Sequence, residues 1–278
     1  MKLGMFSMPQ HPPERDLREG YEWDIQNLVW ADELGFDEAW IGEHHACPWE
    51  PLPAPDMLVV EGLRATKNMR IGTGGICLPY HHPVEVANRV AMIDHISEGR
   101  FIFGVAASGL PSDHAMFGVD GHGGENRAMF QEAMDIILGL WSNDPGWRYE
   151  GKYWKAHIPE EMLGGILKPH LKPLQLPHPP IGVAGVSTPS GTLEWAGEHG
   201  YVPMSLNLNP SYVASHWDSV VRGAERAERV PRRAQWLHAR EVLVADTDKE
   251  AWEHSVNGQI GRMYGEYFIP LMKGFEFV

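Results

Sequence analysis

The sequence has few cysteines and a shortage of positive charge. Its 278 residues include only Cys47 and Cys77, which cannot form a disulfide framework. Lys and Arg together number 23 against 37 Asp and Glu, so the formal net charge is −14. This negative charge opposes binding to nucleic acid or to an anionic membrane surface, and neither is expected as a partner.

Long apolar runs are also missing. No stretch of about 18 apolar residues occurs, so no membrane-spanning helix is expected. The apolar stretch within residues 1–9 is too short for a signal peptide, and we expect a cytoplasmic protein. The 43% hydrophobic content is sufficient for a packed core. The length suits one large domain, which we predict over residues 1–278.

Strand-like and helix-like segments alternate along the chain. Strands are predicted at residues 2–8, 37–42, 69–78, 101–107, 181–186, 202–206 and 241–245. Helices are predicted at residues 21–34, 56–66, 84–97, 124–141, 190–199, 210–228 and 248–263. Such alternation indicates parallel strands that are joined by crossover helices. The fold class is therefore α/β.

Two architectures fit this alternation, a doubly wound open sheet and a closed (β/α)₈ TIM-type barrel. The open sheet would place a glycine-rich phosphate turn after the first strand, where this chain instead has Ser7-Met8-Pro9. We therefore predict the barrel, incomplete at the C-terminus because only seven strands can be counted. An open barrel exposes strand edges. We expect residues 267–278 or a neighbouring copy in a homodimer to shield them.

The segment 143–180 is the main irregularity of the pattern. It is rich in proline and aromatic residues and connects a predicted helix to the next strand. Loops of this length are usually functional or disordered. Because the segment starts on the side opposite the strand ends that carry chemistry, we predict an insertion that acts as a structural cover.

The segment Glu43-His44-His45 is the densest group of titratable side chains, and it follows the second predicted strand. In TIM barrels, the C-terminal ends of the strands carry the active site. Side chains alternate along a strand, so His44 diverges from both neighbours unless the strand has already ended. Core packing of one residue is the alternative, but the position favours a catalytic group.

A second histidine pair, His81-His82, follows the third predicted strand and could lie beside His44. Together they would suggest a His-rich metal centre. A hydrolase centre of this kind needs ligands at one-residue spacing and a carboxylate at a late strand end. Adjacent histidines suit one ligand face poorly, so we expect no metal.

Three glycines, Gly72, Gly74 and Gly75, lie inside the third predicted strand. Glycine weakens a strand, so its presence needs a reason. One alternative is that neighbouring strands pack too closely for a side chain. The other is that a flat, rigid ligand lies against the backbone. The sequence leaves both open.

Two turns that are rich in small and hydroxyl residues follow later strands. One runs from Gly185 through Ser187 and Thr188 into a helix, and the other contains Ser108. Backbone N–H groups at the start of a helix bind phosphate. Capping by a single serine would account for one hydroxyl of the first turn but not for all of them. The two turns predict a cofactor that bears phosphate.

Several segments along the chain match one known family. They are residues 2–6, 31–40, 43–45, 70–74, 82–83, 94–100, 104–105 and 179–181, together with Ser187. These segments resemble the bacterial luciferase-like, flavin-dependent monooxygenases, including limonene monooxygenase-type members. Residues 94–100 (Asp-His-Ile-Ser-Glu-Gly-Arg) and 43–45 are the most specific of them.

The resemblance implies a TIM barrel that binds FMN, which a separate reductase reduces and delivers by diffusion. The reduced flavin would react with O₂ to give a flavin hydroperoxide, which oxygenates a small organic substrate. By this resemblance, His44 is a general base or hydrogen-bond partner near the flavin. We expect its imidazole to be neutral, with an unperturbed pKa near 6.5.

The resemblance also implies positions for the cofactor. Gly74-Gly75 matches the strand position where the backbone approaches the isoalloxazine, often through a cis peptide bond. Ser187 and Thr188, with Ser108, match positions around the phosphate. Two other functions remain open: an oxidoreductase of the same fold that uses the deazaflavin F420, and a non-catalytic flavin-binding protein.

Overall fold

The computed structural model describes residues 2–206 and 210–274. These residues cluster into two units. The N-terminal unit comprises residues 2–9 and 16–184, and the other described residues form the C-terminal unit. No helix in the described ranges is both long and apolar enough to cross a membrane.

The N-terminal unit is built on a parallel sheet. Its strands are β1 (Gly4–Ser7), β2 (Glu38–Ile41), β3 (Arg70–Thr73), β4 (Ile76–Cys77), β5 (Phe101–Ala106), β6 (Arg148–Glu150), β7 (Lys155–His157) and β8 (Ile181–Gly185). Strands β1, β2, β3, β5 and β8 lie side by side in that order and are parallel. Strand β4 follows β3 along the chain and also pairs with β5. The predicted parallel pairing is confirmed in this unit.

Helices connect these strands, as the alternation predicts. They are α1 (Leu17–Glu33), α2 (Pro55–Ala65), α3 (Pro83–Ile96), α4 (Pro111–Phe117) and α5 (Glu125–Ser142), with a 3₁₀ turn at Leu78–Tyr80. Asp16 begins α1 by accepting hydrogen bonds from the N–H groups of Arg18 and Glu19, which have no partner within the helix. The short helix α4 was missed in the sequence.

Close packing of β3, β4 and β5 explains two of the strand glycines. A side chain at Gly72 would place its Cβ 2.7 Å from the carbonyl oxygen of Ile102. At Gly75 the Cβ would lie 2.6 Å from the backbone nitrogen of Val105. Both distances are shorter than Cβ contacts permit, so the packing alternative accounts for these two positions.

Residues 94–100 hold other elements in place. The buried carboxylate of Asp94 accepts hydrogen bonds from the backbone N–H and the side-chain amide of Gln175, both at 2.7 Å. The guanidinium of Arg100 donates to the carbonyl oxygens of Leu63 and Met69, at the end of α2 and just before β3. Two residues of the family-specific segment therefore have structural roles.

The segment 143–180 contains a small antiparallel hairpin, which the sequence analysis did not predict. Strands β6 and β7 pair from Arg148↔His157 to Glu150↔Lys155. The carboxylate of Glu132 on α5 accepts hydrogen bonds from the backbone N–H groups of the hairpin loop, including those of Tyr153 and Trp154. The hairpin is thus fastened to α5.

The C-terminal unit has two parallel strands and a series of helices. Its elements are β9 (Val202–Ser205), β10 (Leu237–His238), α6 (Gly191–His199), α7 (Pro210–Arg226), α8 (Asp248–Asn257), α9 (Gln259–Met263) and α10 (Ile269–Gly274), with a 3₁₀ turn at Arg233–Gln235 and a π-helical turn at Tyr264–Phe268. Met204 of β9 pairs with Leu237 of β10. The end of the predicted shielding segment, residues 275–278, lies outside the described residues.

The seventh strand was predicted at the wrong place. Residues 241–245 are mostly apolar but form no strand, and Val242 and Val244 are 78% and 88% exposed. The strand lies earlier, after Trp236, whose indole N–H donates to Ser205 Oγ at 2.8 Å and whose ring stacks on Trp217. These contacts fix β10 beside β9. The predicted number of seven parallel strand positions holds for the described residues.

We expect Arg100→Met to lower the free energy of unfolding by about 2 kcal/mol, because the substitution leaves carbonyl oxygens at the end of α2 without their charged donor. Denaturant unfolding measures this loss. Arg64→Met removes an exposed arginine from α2 and should change stability by less than about 0.5 kcal/mol. Equal effects of the two substitutions would show that the hydrogen bonds of Arg100 to Leu63 and Met69 do not stabilise the fold.

Candidate active site

The candidate site lies in the loop that follows β2. The strand ends at Ile41, so Glu43, His44 and His45 lie in loop conformation. The side chains of Glu43 and His45 contact each other, whereas His44 contacts different partners. His44 therefore diverges from both neighbours.

The carboxylate of Glu43 is the centre of a buried hydrogen-bond cluster. Its Oε1 atom lies 2.7 Å from His45 Nε2 and 2.8 Å from His81 Nε2. Its Oε2 atom accepts the backbone N–H of Cys77 at 3.0 Å. Burial alone would raise the pKa of Glu43, but the hydrogen bonds from His45 and His81 lower it. Glu43 is thus held as a carboxylate with 2% exposure.

The imidazole of His44 lies between two buried carboxylates. Its Nδ1 atom is 3.1 Å from Asp113 Oδ2, and its Nε2 atom is 3.3 Å from Glu50 Oε2. The other oxygen of Asp113 accepts the backbone N–H groups of His45 and Ala46 at 3.2 and 2.7 Å. Asp113 therefore fixes both the loop backbone and the orientation of the His44 ring.

These carboxylates change the pKa that we expected for His44. Burial opposes a charge on the imidazole, yet the hydrogen bond to Asp113 and the charges of Glu50 and Asp113 raise the pKa of His44 above its ordinary value. The expectation of an unperturbed pKa is wrong. Since both ring nitrogens face carboxylates, the arrangement favours the imidazolium form.

The short helix α4 links this loop to the end of β5. Asp113 on α4 contacts His44, and the adjacent His114 has its Nε2 atom 2.8 Å from Ser108 Oγ. Ser108 has a left-handed backbone with φ 67°, and burial lowers the pKa of His114. Two residues predicted for the site, His44 and Ser108, are thus brought together by one helical turn.

An aromatic group covers the Glu43 cluster. The ring of Tyr80 stacks on that of Phe117 with centroids 4.3 Å apart. The ring of His45 meets Phe117 edge-on at 4.7 Å and Tyr80 at 5.5 Å. This apolar cover strengthens the electrostatic interactions beneath it.

The ligand atoms of Glu43, His45 and His81 all lie within 4.8 Å of one another, so they could hold a metal ion. The expected pairing of His81 with His44 is not found. Instead His81 shares Glu43 Oε1 with His45, and His82 accepts the N–H of Val84 at the start of α3. Their mutual hydrogen bonds account for the arrangement of these side chains. The absence of a metal site stays a prediction.

Gly74 and Gly75, which were predicted to lie against the flavin, are joined by a cis peptide bond. They connect β3 to β4, and β4 pairs with the end of β5 that precedes Ser108. The cis bond is the feature that the resemblance implied at this position. A flavin contact at these glycines stays a prediction.

The remaining predicted residues lie in the C-terminal unit, with Gly185 as the last residue of β8 and with Ser187 and Thr188 between β8 and α6. A Cβ at Gly185 would meet the side chain of Leu193 at 2.4 Å, so close packing explains this glycine. Ser190 caps α6 by accepting the N–H of Leu193. Ser190 is thus the capping residue, and capping does not explain the presence of Ser187 and Thr188.

Several residues of the site had no recognisable signal in the sequence. Asp113 and His44 are 69 positions apart, and Asp113 stood in a stretch that we had not assigned to any element. Glu50 was likewise overlooked, although it lies six residues after His44. Only the folded loop shows that Glu50 and Asp113 share one imidazole.

Comparisons with known proteins give close matches. A family model described as luciferase-like monooxygenase matches residues 1–271. The 3,6-diketocamphane 1,6-monooxygenase of Pseudomonas putida is 31% identical over 291 residues, which cover 99% of this chain and 77% of that protein. Limonene 1,2-monooxygenase of Rhodococcus erythropolis is 30% identical over 255 residues, which cover 90% of this chain and 62% of that protein.

Solved structures support the predicted fold class. The oxygenating constituent of 3,6-diketocamphane monooxygenase from Pseudomonas putida, a type II Baeyer–Villiger monooxygenase in complex with FMN, matches with a TM-score of 0.92 and 31% identity. The match covers 100% of this chain and 76% of that chain. An F420-dependent secondary alcohol dehydrogenase shares the fold at a TM-score of 0.67 and 22% identity, over 85% of this chain and 67% of that chain. The predicted α/β TIM-type barrel class is confirmed.

We expect Asp113→Asn to weaken the fold and to change its pH dependence. Breaking a buried charge pair costs about 3 kcal/mol. Because the pKa of His44 is raised in the folded state, its contribution to stability is complete below about pH 6.5 and is lost as the pH rises through the raised pKa. Without the Asp113 charge that pKa falls, so the loss of stability that sets in above about pH 6.5 is smaller and is complete at a lower pH.

The measurement is the melting temperature between pH 5 and 9 for the wild type, Asp113→Asn and Asp144→Asn. Asp144 is an exposed aspartate of the same unit and serves as the matched control. Identical alkaline profiles in all three proteins would show that Asp113 does not set the pKa of His44.

Proposed function

We propose that this chain, which belongs to the luciferase-like monooxygenase family, is an oxygenase that uses reduced FMN and O₂ to oxygenate a small organic substrate. The observation that carries the proposal is the TM-score of 0.92 over the whole chain to an FMN-bound monooxygenase. The overall reaction inserts one oxygen atom into the substrate and releases the other as water. The two electrons that this requires come from reduced FMN.

The residues of the C-terminal unit fit a phosphate group. In the part of the chain that the structure describes, no acceptor engages the backbone N–H groups of Ser187, Thr188 and Gly191. Gly191 begins α6, where the helix dipole also favours an anion. We propose that these backbone N–H groups bind the phosphate of FMN.

For catalysis we propose His44 as a held imidazolium and not as a neutral base. Bound FMN supplies the reduced ring at which O₂ reacts. His44 holds one proton at Nδ1 against Asp113 and a second at Nε2, 3.3 Å from Glu50, and transfer of the Nε2 proton would neutralise negative charge that develops during oxygen transfer. Asp113 keeps the ring oriented. The aromatic cover formed by Tyr80 and Phe117 limits the access of water to the neighbouring cluster.

The substrate is proposed only as a class. Relatives are named for diketocamphanes and limonene, which are compact cyclic compounds. A related protein is named as the oxygenase component of trigonelline monooxygenase, which supports a separate reductase here. A bicyclic ketone is therefore the first probe for this enzyme.

The proposed function predicts product formation from a camphane diketone with FMN, O₂, NADH and an unrelated flavin reductase, and none without the reductase. Reduced FMN should bind more tightly than oxidised FMN. His44→Ala should lower product formation by roughly 10²–10⁴-fold and leave flavin binding intact. His170→Ala, which removes an exposed histidine, is the control and should remain active.

Three results would contradict this account. Rapid reduction of flavin by NADH without the reductase would exclude the two-component reaction. Turnover with reduced F420 but not with reduced FMN would favour the F420 alternative. Flavin binding without oxygen uptake, across a panel of cyclic ketones and alkenes, would favour the non-catalytic alternative.

We also propose a single-domain homodimer that works in the cytoplasm. The negative net charge and the seven strand positions found in the described residues support this organisation. Light scattering should give about twice the 31.2 kDa mass of the chain. A monomer mass at micromolar concentration would contradict the dimer.

A further inference from the structure

Helix α7 makes several contacts with the turn formed by residues 187–190, which we call the phosphate turn. His216 Nε2 lies 3.0 Å from the carbonyl oxygen of Ser187. Ser215 Oγ lies 2.8 Å from Thr188 Oγ1. Each contact restrains a residue whose backbone N–H group is proposed to bind phosphate.

One helical turn further along α7, Ser219 contacts the end of the phosphate turn. Its Oγ atom accepts the backbone N–H of Ser190 at 3.3 Å and donates to the carbonyl oxygen of Ser215. Ser190 in turn caps α6. Helix α7 therefore restrains the start of α6 as well as the preceding turn.

The direction of each hydrogen bond can be assigned. A carbonyl oxygen only accepts, so His216 Nε2 carries the hydrogen that binds Ser187. Burial lowers the pKa of His216, so Nδ1 is an acceptor and receives the hydroxyl hydrogen of Ser205 at 2.9 Å. Trp236 completes the chain by donating to Ser205 Oγ. His216 is thus locked in one tautomer and one orientation.

The hydroxyl of Thr188 is also oriented. Ser215 has one hydroxyl hydrogen, which it donates to the carbonyl oxygen of Tyr212 at 2.7 Å. Its oxygen therefore accepts the hydrogen of Thr188. With the Ser187 hydroxyl donating to the carbonyl oxygen of Pro189, both side chains of the turn are engaged. The backbone N–H groups are then the donors that remain available for an anion.

Fixed neutral donors matter because the chain is acidic. A net charge of −14 repels a phosphate dianion, so attraction at long range does not assist binding. Affinity must then come from donors that are already oriented and lose little freedom on binding. The contacts from α7 supply this orientation.

We propose that His216, with Ser215 and Ser219, positions the phosphate turn so that the protein selects FMN over riboflavin. The inference rests on the proposed function, because it takes flavin as the ligand. His216 is a positioning residue, since it acts through the carbonyl of Ser187. Loss of its hydrogen bond should weaken the recognition of phosphate and leave the recognition of the ring unchanged.

The test compares dissociation constants for FMN and riboflavin, each oxidised and reduced, by flavin fluorescence or anaerobic absorbance. The variants are His216→Ala, His216→Gln, Ser215→Ala and the control Val220→Ala. Val220 is a buried residue of α7, so its truncation reports a general weakening of the helix. Ser215 is only half-buried, so Ser215→Ala should disturb the fold little. It therefore tests the positioning of the phosphate turn even where His216→Ala lowers stability.

We expect the wild type to prefer FMN. His216→Ala should weaken FMN binding by about tenfold and change riboflavin binding by less than about twofold. His216→Gln, whose amide can still donate to Ser187, should recover most of the preference, and Ser215→Ala should lose part of it. Val220→Ala should lower the melting temperature without changing the ratio of the two affinities.

Two results would overturn this inference without contradicting the proposed function. They are equal affinities of the wild type for FMN and riboflavin, and a parallel loss of both affinities in His216→Ala. Either would leave the proposed function standing, because flavin would still bind. A wild type that binds neither flavin in either redox state would contradict the proposed function as well.

Discussion

The buried carboxylate of Asp113 is the contact on which the candidate active site depends. One of its oxygens binds the backbone N–H groups of His45 and Ala46, and the other binds the ring of His44. A single side chain thus shapes the loop and orients the ring of His44. Because Asp113 belongs to α4, this short helix is part of the site. The adjacent His114 extends the same connection to Ser108 at the end of β5.

Negative charge is accommodated differently in the loop after β2 and at the proposed phosphate site. The loop after β2 collects three carboxylates, Glu43, Glu50 and Asp113, in a protein that is already acidic. Burying them is possible because an imidazole engages each one, and backbone N–H groups also engage Glu43 and Asp113. At the proposed phosphate site the arrangement would be the opposite, with neutral backbone N–H donors holding an anion. In both places orientation is provided by a neighbouring helix, α4 in one unit and α7 in the other.

Local patterns in the sequence predicted most of the parallel elements and the loop that carries His44. They did so because alternation of strands and helices, and titratable groups at a strand end, are properties of short segments. The contacts of His44 could not be predicted, since Asp113 is 69 positions away and depends on the fold. The strand predicted at residues 241–245 failed for a similar reason. Its hydrophobic pattern was favourable, but the indole of Trp236 fixes the strand at Leu237–His238.

The central claim is that His44 works as an imidazolium held between carboxylates. The direct measurement is an NMR titration of histidine ring nitrogens labelled with ¹⁵N, with His44→Gln used to assign the His44 signals. We expect both ring nitrogens of His44 to remain protonated at pH 6.5 and to lose a proton only at higher pH. A neutral His44 ring at pH 6.5, with one nitrogen unprotonated, would contradict it.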